Sequence, residues 1–262
     1  MKRKLFIPVM TVIATICCVF GFTACKNENA TKPTEGLEYT DMGGYYEVSG
    51  LGTATDTDIY IPNEYGGLPV ASIGSGAFKS CEQLTGVTIP DSVTDIGHAA
   101  FDNCYNLKSI KIPDSVTYID TDAFYNCIAL KSIVIPDSVT HIGSRAFYNC
   151  SSLISAIIPD NVTYIGNYLF KGCNSLSTVT LGKGVISIGF RMFDGCNGLK
   201  KLTICDSVTF IDGYALNNCS GLTDIIFNGT KEQWNAVKKD QDWDNGSGDY
   251  TIHCTDGDIE KN

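Results

Sequence analysis

A β-rich solenoid of parallel, stacked coils is the fold class this sequence predicts, and three sets of residues predict it. Cysteine falls at Cys81, Cys104, Cys127, Cys150, Cys173, Cys196 and Cys219, each 23 residues after the last. Phenylalanine keeps the same step at 78, 101, 124, 147, 170 and 193. Leucine keeps it from Leu84 to Leu222 and isoleucine from Ile73 to Ile211, with no insertion between Val70 and Phe227. A period sustained in this way marks a chain whose length is set by copy number, so one solenoid is expected rather than two globular domains.

The N-terminal end differs from everything after it. Lys2, Arg3 and Lys4 lead into an apolar run over residues 5–22, which predicts a secretory signal over 1–24. Cys25 follows the small residues Thr23 and Ala24, an arrangement that resembles the lipobox of bacterial lipoproteins and makes Cys25 the expected lipidation site. Phe22 departs from that motif's usual leucine, so cleavage with release stays open, as does an uncleaved anchor, the run being just long enough to span a bilayer. Residues 25–36, which include "KNENATKPTE", form a polar, lipidated tether. The net charge of −10 becomes −13 once the three signal cations are removed, which excludes nucleic acid as an expected partner.

Within one copy, read from Leu84, apolar residues alternate through Leu84, Val87 and Ile89, predicting a short strand over 87–89. Pro90 fixes its own φ and Asp91 can bond backbone two residues on, so the pair predicts a corner. Residues 93–96 read as a second extended piece, Gly97 turns the chain, and Ala100-Phe101 open a short helical or irregular return ending at Cys104. The apolar surface that one coil can bury by itself falls short of the entropy lost in ordering it, so neighbouring coils must complete the burial.

The repeated pattern IP-S-V--IG--AF--C--L resembles the BspA-like leucine-rich repeat family. The resemblance implies a leucine-rich-repeat solenoid of about seven 23-residue coils, with an opening unit over 37–78, the array over 79–227 and a small helical closing cap over 228–262. Thr230 with Gln233 offers a capping box, and Trp234 can cover the last coil. Gly182-Lys183-Gly184 replaces Pro-Asp-Ser in one coil, Cys205 replaces a proline, and Leu216 stands in the phenylalanine column. Those departures put local corner geometry in doubt, not the fold. The resemblance also implies adhesion to host, matrix or neighbouring-cell proteins.

Chemistry in the repeat is sparse. Zinc sites want ligands two to four residues apart and no C-x-x-C occurs, so no metal or cofactor is expected. Nine cysteines remain after the signal and Cys25, an odd number, and a ladder of buried thiols is preferred over disulfides. His98, His141 and His253 accompany no nucleophile motif, so no catalysis is expected. The loop over 240–249 sets three carboxylates at alternate positions like a calcium loop but lacks its glycine and terminal glutamate.

With core columns committed to stacking, function falls to the columns that vary. One outward ribbon flanks Val87 and its equivalents; small hydroxyl side chains dominate it, Lys111 belongs to it, and Val134 and Ile157 make an apolar centre. The other is the residue before each repeated isoleucine, where Tyr118, His141 and Tyr164 would stack at strand spacing and Phe210 follows two coils on. Exposed rings beside hydroxyls suit protein or sugar recognition, although stacked rings can also serve only to stabilise a ladder. The expectation is therefore a non-catalytic, monomeric cell-surface protein, exported and lipid-anchored at Cys25. It would bind an extracellular protein or glycan and meet the membrane only through its anchor.

Overall fold

The computed structural model describes residues 32–261; the expected signal and Cys25 lie outside them. Two rows of short strands run along the array. The first holds Asp58–Tyr60, Gly86–Thr88 and Ser109–Lys111, then resumes with Ser155–Ile157, Thr178–Thr180, Lys201–Ile204, Asp224–Phe227 and Thr251–Cys254. The second holds Tyr46–Gly50, Leu68–Ile73, Asp95–Ile96, Tyr118–Ile119, His141–Ile142 and Tyr164–Ile165, then Ser187–Ile188, Phe210–Ile211 and Lys238–Lys239. Pairing within each row is parallel, and in the repeats it is in register at a step of 23, as in Val87↔Ile110 and Ile119↔Ile142.

Nine strands in the second row exceed the seven coils expected, because both end units are built as coils themselves. The opening unit contributes Tyr46–Gly50 and Asp58–Tyr60, and the closing segment contributes Lys238–Lys239 and Thr251–Cys254. Each end then folds back antiparallel, Glu38–Asp41 on Tyr46–Gly50 and Gly257–Glu260 on Thr251–Cys254. A sheet end left open would template further pairing, and these hairpins occupy it. The helix Lys231–Ala236 carries the expected capping box, with Thr230 and Gln233 bonded reciprocally at 3.2 and 2.8 Å. Its Trp234 is buried edge-on against Phe227, 5.2 Å between centroids.

Strand limits shift from expectation at the corner. Val93 N–H donates to Pro90 O at 3.1 Å, so residues 90–93 form a tight turn and only Asp95–Ile96 remains extended. Side chains tie most corners to the coil before: Ser92, Ser115, Ser138 and Ser207 donate to the carbonyls of Val70, Val93, Val116 and Val185 at 2.6–2.8 Å, and Asn161 donates to Asp137 O at 2.7 Å. Thr94, Thr140 and Thr209 do the same from the next column, to Ala71, Thr117 and Ile186 at 3.2–3.3 Å.

The returns are not helical, which corrects the helical half of that expectation. They are chains of linked turns: Ala77, Lys79 and Cys81 donate to carbonyls three residues back, while Gly76, Phe78 and Ser80 donate to His98, Ala100 and Asp102 of the next coil. Asn103, Asn126, Asn149 and Asn218 hold φ between 54° and 60° there, which a helix forbids and asparagine tolerates.

Inside, the phenylalanines form one stack, Phe78 to Phe193, with centroids 5.3–5.8 Å apart. Each thiol of the 23-residue cysteine column from Cys104 to Cys219 donates to the carbonyl of the phenylalanine one coil earlier, as Cys104 Sγ does to Phe78 O at 3.0 Å. Burial pushes the Cys104, Cys150 and Cys219 thiols up to about 12, so they stay protonated and unreactive. The nine cysteines among the described residues are free thiols. Cys205 fits the same logic at the corner, donating to Leu181 O at 3.1 Å, and buried Leu216 continues the core.

Candidate binding surface

The second strand row positions the aromatic ribbon. Parallel in-register pairing sets Tyr118, His141 and Tyr164 side by side. Their rings stack at 4.2 Å between centroids on each side of His141, with interplanar angles of 12° and 5°. Face-to-face stacking consumes the ring faces between them. A partner therefore meets ring edges, two phenol hydroxyls and the imidazole edge, together with the outer faces of Tyr118, toward Asp95, and of Tyr164, toward Ser187. Partial burial between the rings pushes the His141 pKa down, so the imidazole is neutral at pH 7. Phe210 is not brought into the stack, because Ser187 stands between it and Tyr164 and the strand carrying it belongs to another sheet.

The second row breaks where the stack ends: Tyr164–Ile165 closes one sheet and Ser187–Ile188 opens the next. The coil between carries Gly182-Lys183-Gly184 and Ile186 in place of the corner serine and threonine, so it lacks the two hydroxyl ties found elsewhere. Serine could not simply return. A Cβ on Gly184 would collide with the Val162 carbonyl oxygen, because this corner is pressed against the one before it. At the break Tyr164 is 51% exposed and Ile165 is half-buried, unlike its fully buried equivalents Ile142 and Ile188, while Ile186 puts an apolar side chain, 62% exposed, in a column that is exposed throughout. Sequence reasoning missed this opening, although the lost threonine at 186 was its signal.

The first row is interrupted too. Ser109–Lys111 ends one sheet, residues 132–134 form no strand, and Ser155–Ile157 starts the next. Val134 sits at that interruption with 68% exposure, flanked by exposed Lys111 and half-buried Ile157. The apolar centre expected on this ribbon is thus present, and it is accompanied by Lys108, Lys131 and Ile128, all exposed, which sequence reasoning passed over.

Other candidates are internally satisfied. His253 lies between Asp224 at 2.9 Å and Asp258 at 3.1 Å, and the Asp224 bond is the chief reason its pKa is raised. In the 240–249 loop, Asp244 accepts from the Tyr250 hydroxyl at 2.6 Å and pairs with Lys261, a lock on the cap. An open depression of about 610 Å³ over the returns is lined by Lys171, Arg191, Asp194 and four asparagines, among others. Its charges already pair: Asp194 holds Lys171 at 2.9 Å, Arg191 at 3.1 Å and Asn217 at 2.7 Å. Among the described residues no group of three or more acidic, histidine or cysteine side chains could hold a metal ion, and no helix is long and apolar enough to cross a membrane.

Comparison with known proteins fits this geometry. The model of the BspA type leucine rich repeat region matches residues 57–176 and 140–236, in six copies. A leucine rich repeat protein of T. pallidum is similar at 32% identity and TM-score 0.61, over 65% of this chain and 80% of that one. A leucine-rich repeat protein from Bacteroides ovatus is similar at 32% identity and TM-score 0.68, over 76% of this chain and 55% of that one, so this chain spans about half its length. No curated protein matches. A 23-residue coil repeated over most of the length, with the same buried columns from copy to copy, has one reading: the chain belongs to the BspA-type leucine-rich repeat family.

Proposed function

We propose that this chain is a non-catalytic, exported binding protein, lipid-anchored at Cys25, that presents its strand rows to a macromolecular partner outside the cell. The observation that carries this reading is the division of labour between columns. The inward columns are filled by phenylalanine, leucine, isoleucine and cysteine that stack on themselves, while the outward ones expose Tyr164, Val134 and Ile186 on an acidic molecule. Apolar and aromatic side chains grouped on a polar surface mark interaction sites. An adhesive protein partner fits better than a glycan, because the stack of Tyr118, His141 and Tyr164 offers ring edges more than open faces.

The test is a binding screen of the full chain in detergent micelles against extracellular matrix proteins and polysaccharides, beside Tyr118→Ala/Tyr164→Ala. Capture of a matrix protein that the double variant loses supports the second row as the site. Capture unchanged by the substitutions removes that row, and retention by polysaccharides alone replaces the protein partner with a glycan.

A further inference from the structure

We infer that the interrupted part of the first strand row docks an acidic segment of a protein partner anchored by apolar side chains; this deepens the binding role proposed above and rests on it. Three adjacent coils build the patch. Lys108 and Lys111 come from one, Ile128, Lys131 and Val134 from the next, and Ile157 from the third. Residues 105–112, 128–135 and 151–158 contain no aspartate or glutamate, in a chain of net charge −10. Lys108 and Lys131 are separated by one repeat, so like charges occupy one exposed column in adjacent coils with no carboxylate between them.

Elsewhere, charges one repeat apart are often opposite and paired. Lys79 meets Asp102 at 2.9 Å, Arg145 meets Asp122 at 2.8 Å, Lys171 meets Asp194 at 2.9 Å, and Lys183 meets Asp160 at 3.4 Å. Lys108, Lys111 and Lys131 take part in no ion pair of the described residues. Their charge is therefore available to a partner's carboxylates. Beyond the corner prolines, exposed Asp114 and Asp137 border the patch and confine the attraction to its lysine side.

The apolar centre selects the class of partner. Val134, 68% exposed, and Ile128, 39% exposed, sit among the lysines, and a protein interface with an apolar core and charged rim complements that pattern. A sulfated polysaccharide would satisfy the lysines but leave both side chains in water. All the residues to be changed are exposed, so substituting them leaves the core intact.

The experiment measures fluorescence anisotropy of the full chain in detergent micelles with two short labelled peptides, alternating Glu with Val or Lys with Val, and with labelled heparin. The Glu peptide is expected to bind and the Lys peptide not. Lys108→Glu/Lys111→Glu/Lys131→Glu should weaken the Glu peptide about tenfold or more, Val134→Ser about threefold, and Asp114→Asn/Asp137→Asn should tighten it, with unchanged melting in each case. Raising salt should weaken binding in step. Equal binding of both peptides, no binding of either, or indifference to the lysine substitutions overturns the inference. So does a preference for heparin that Val134→Ser leaves untouched. If the triple lysine variant keeps every matrix-protein interaction that Tyr118→Ala/Tyr164→Ala abolishes, the binding role stands and only this docking surface falls.

Discussion

The phenylalanine stack and the strand rows run along the same coils, yet only the strand rows break. From Phe78 to Phe193 the rings follow one another without a gap. The first row is interrupted over residues 132–134 and the second between Ile165 and Ser187. Across the second break the rings stay stacked, Phe170 and Phe193 lying 5.8 Å apart against 5.7 Å for Phe147 and Phe170 in the paired coils before. The array is thus continuous through its packed interior and its linked return turns, and tolerant of local loss of ladder pairing. That tolerance leaves the outward strand columns free to expose Val134, Tyr164 and Ile186, the side chains on which binding can be built.

Removing a ring from the continuous element should do the most damage. Phe124 is fully buried between Phe101 and Phe147, so Phe124→Ala is expected to cost about 3–5 kcal/mol in denaturant unfolding. A cost no larger than that of an exposed substitution would mean the rings do not carry the array. Gly184→Ser is next. Although serine fills this corner at 92, 115, 138 and 207, its Cβ at 184 would meet the Val162 carbonyl, and a loss of about 1–3 kcal/mol is expected where sequence consensus alone would predict a gain.

Ile186→Thr should act in the opposite direction. It restores a hydroxyl where Thr140 and Thr209 tie their strands to the coil before, and a gain of about 0.5–1 kcal/mol is expected, with slower amide exchange over 186–189. The smallest effect concerns the cap. Because the folded pKa of His253 is raised by its bond to Asp224, its contribution is complete below about pH 6.5 and is lost as pH rises through the folded value. Protection of the amides over 251–260, taken relative to their intrinsic base-catalysed exchange, should therefore fall as pH rises above about 6.5, and His253→Gln should remove that pH dependence.

Much of this was legible beforehand, for reasons that lie in particular residues. Periodic cysteine and phenylalanine fixed the coil length, Thr230 and Gln233 announced the cap helix, and register at a step of 23 put Tyr118, His141 and Tyr164 in one stack. The returns were harder. Asparagine at 103, 126 and 149 hints at left-handed backbone, but Arg145, Tyr168 and Arg191 take the same conformation and carry no such preference, because bonds to the next coil hold them there.

By itself the sequence determined the number of residues per coil and the columns that face inward, since both follow from a periodic pattern of apolar side chains that must be buried. Only the tertiary structure decided where the strand rows part, that each thiol of the repeated cysteine column from Cys104 to Cys219 bonds the phenylalanine carbonyl of the preceding coil, and that lysines without ion pairs surround Val134 in the sequence of adjacent coils. Those features depend on contacts between residues about one repeat apart, on backbone approach at Gly184 and on which charges find partners across coils. A linear pattern of residue types carries periodicity, but not the distances at which neighbouring coils settle.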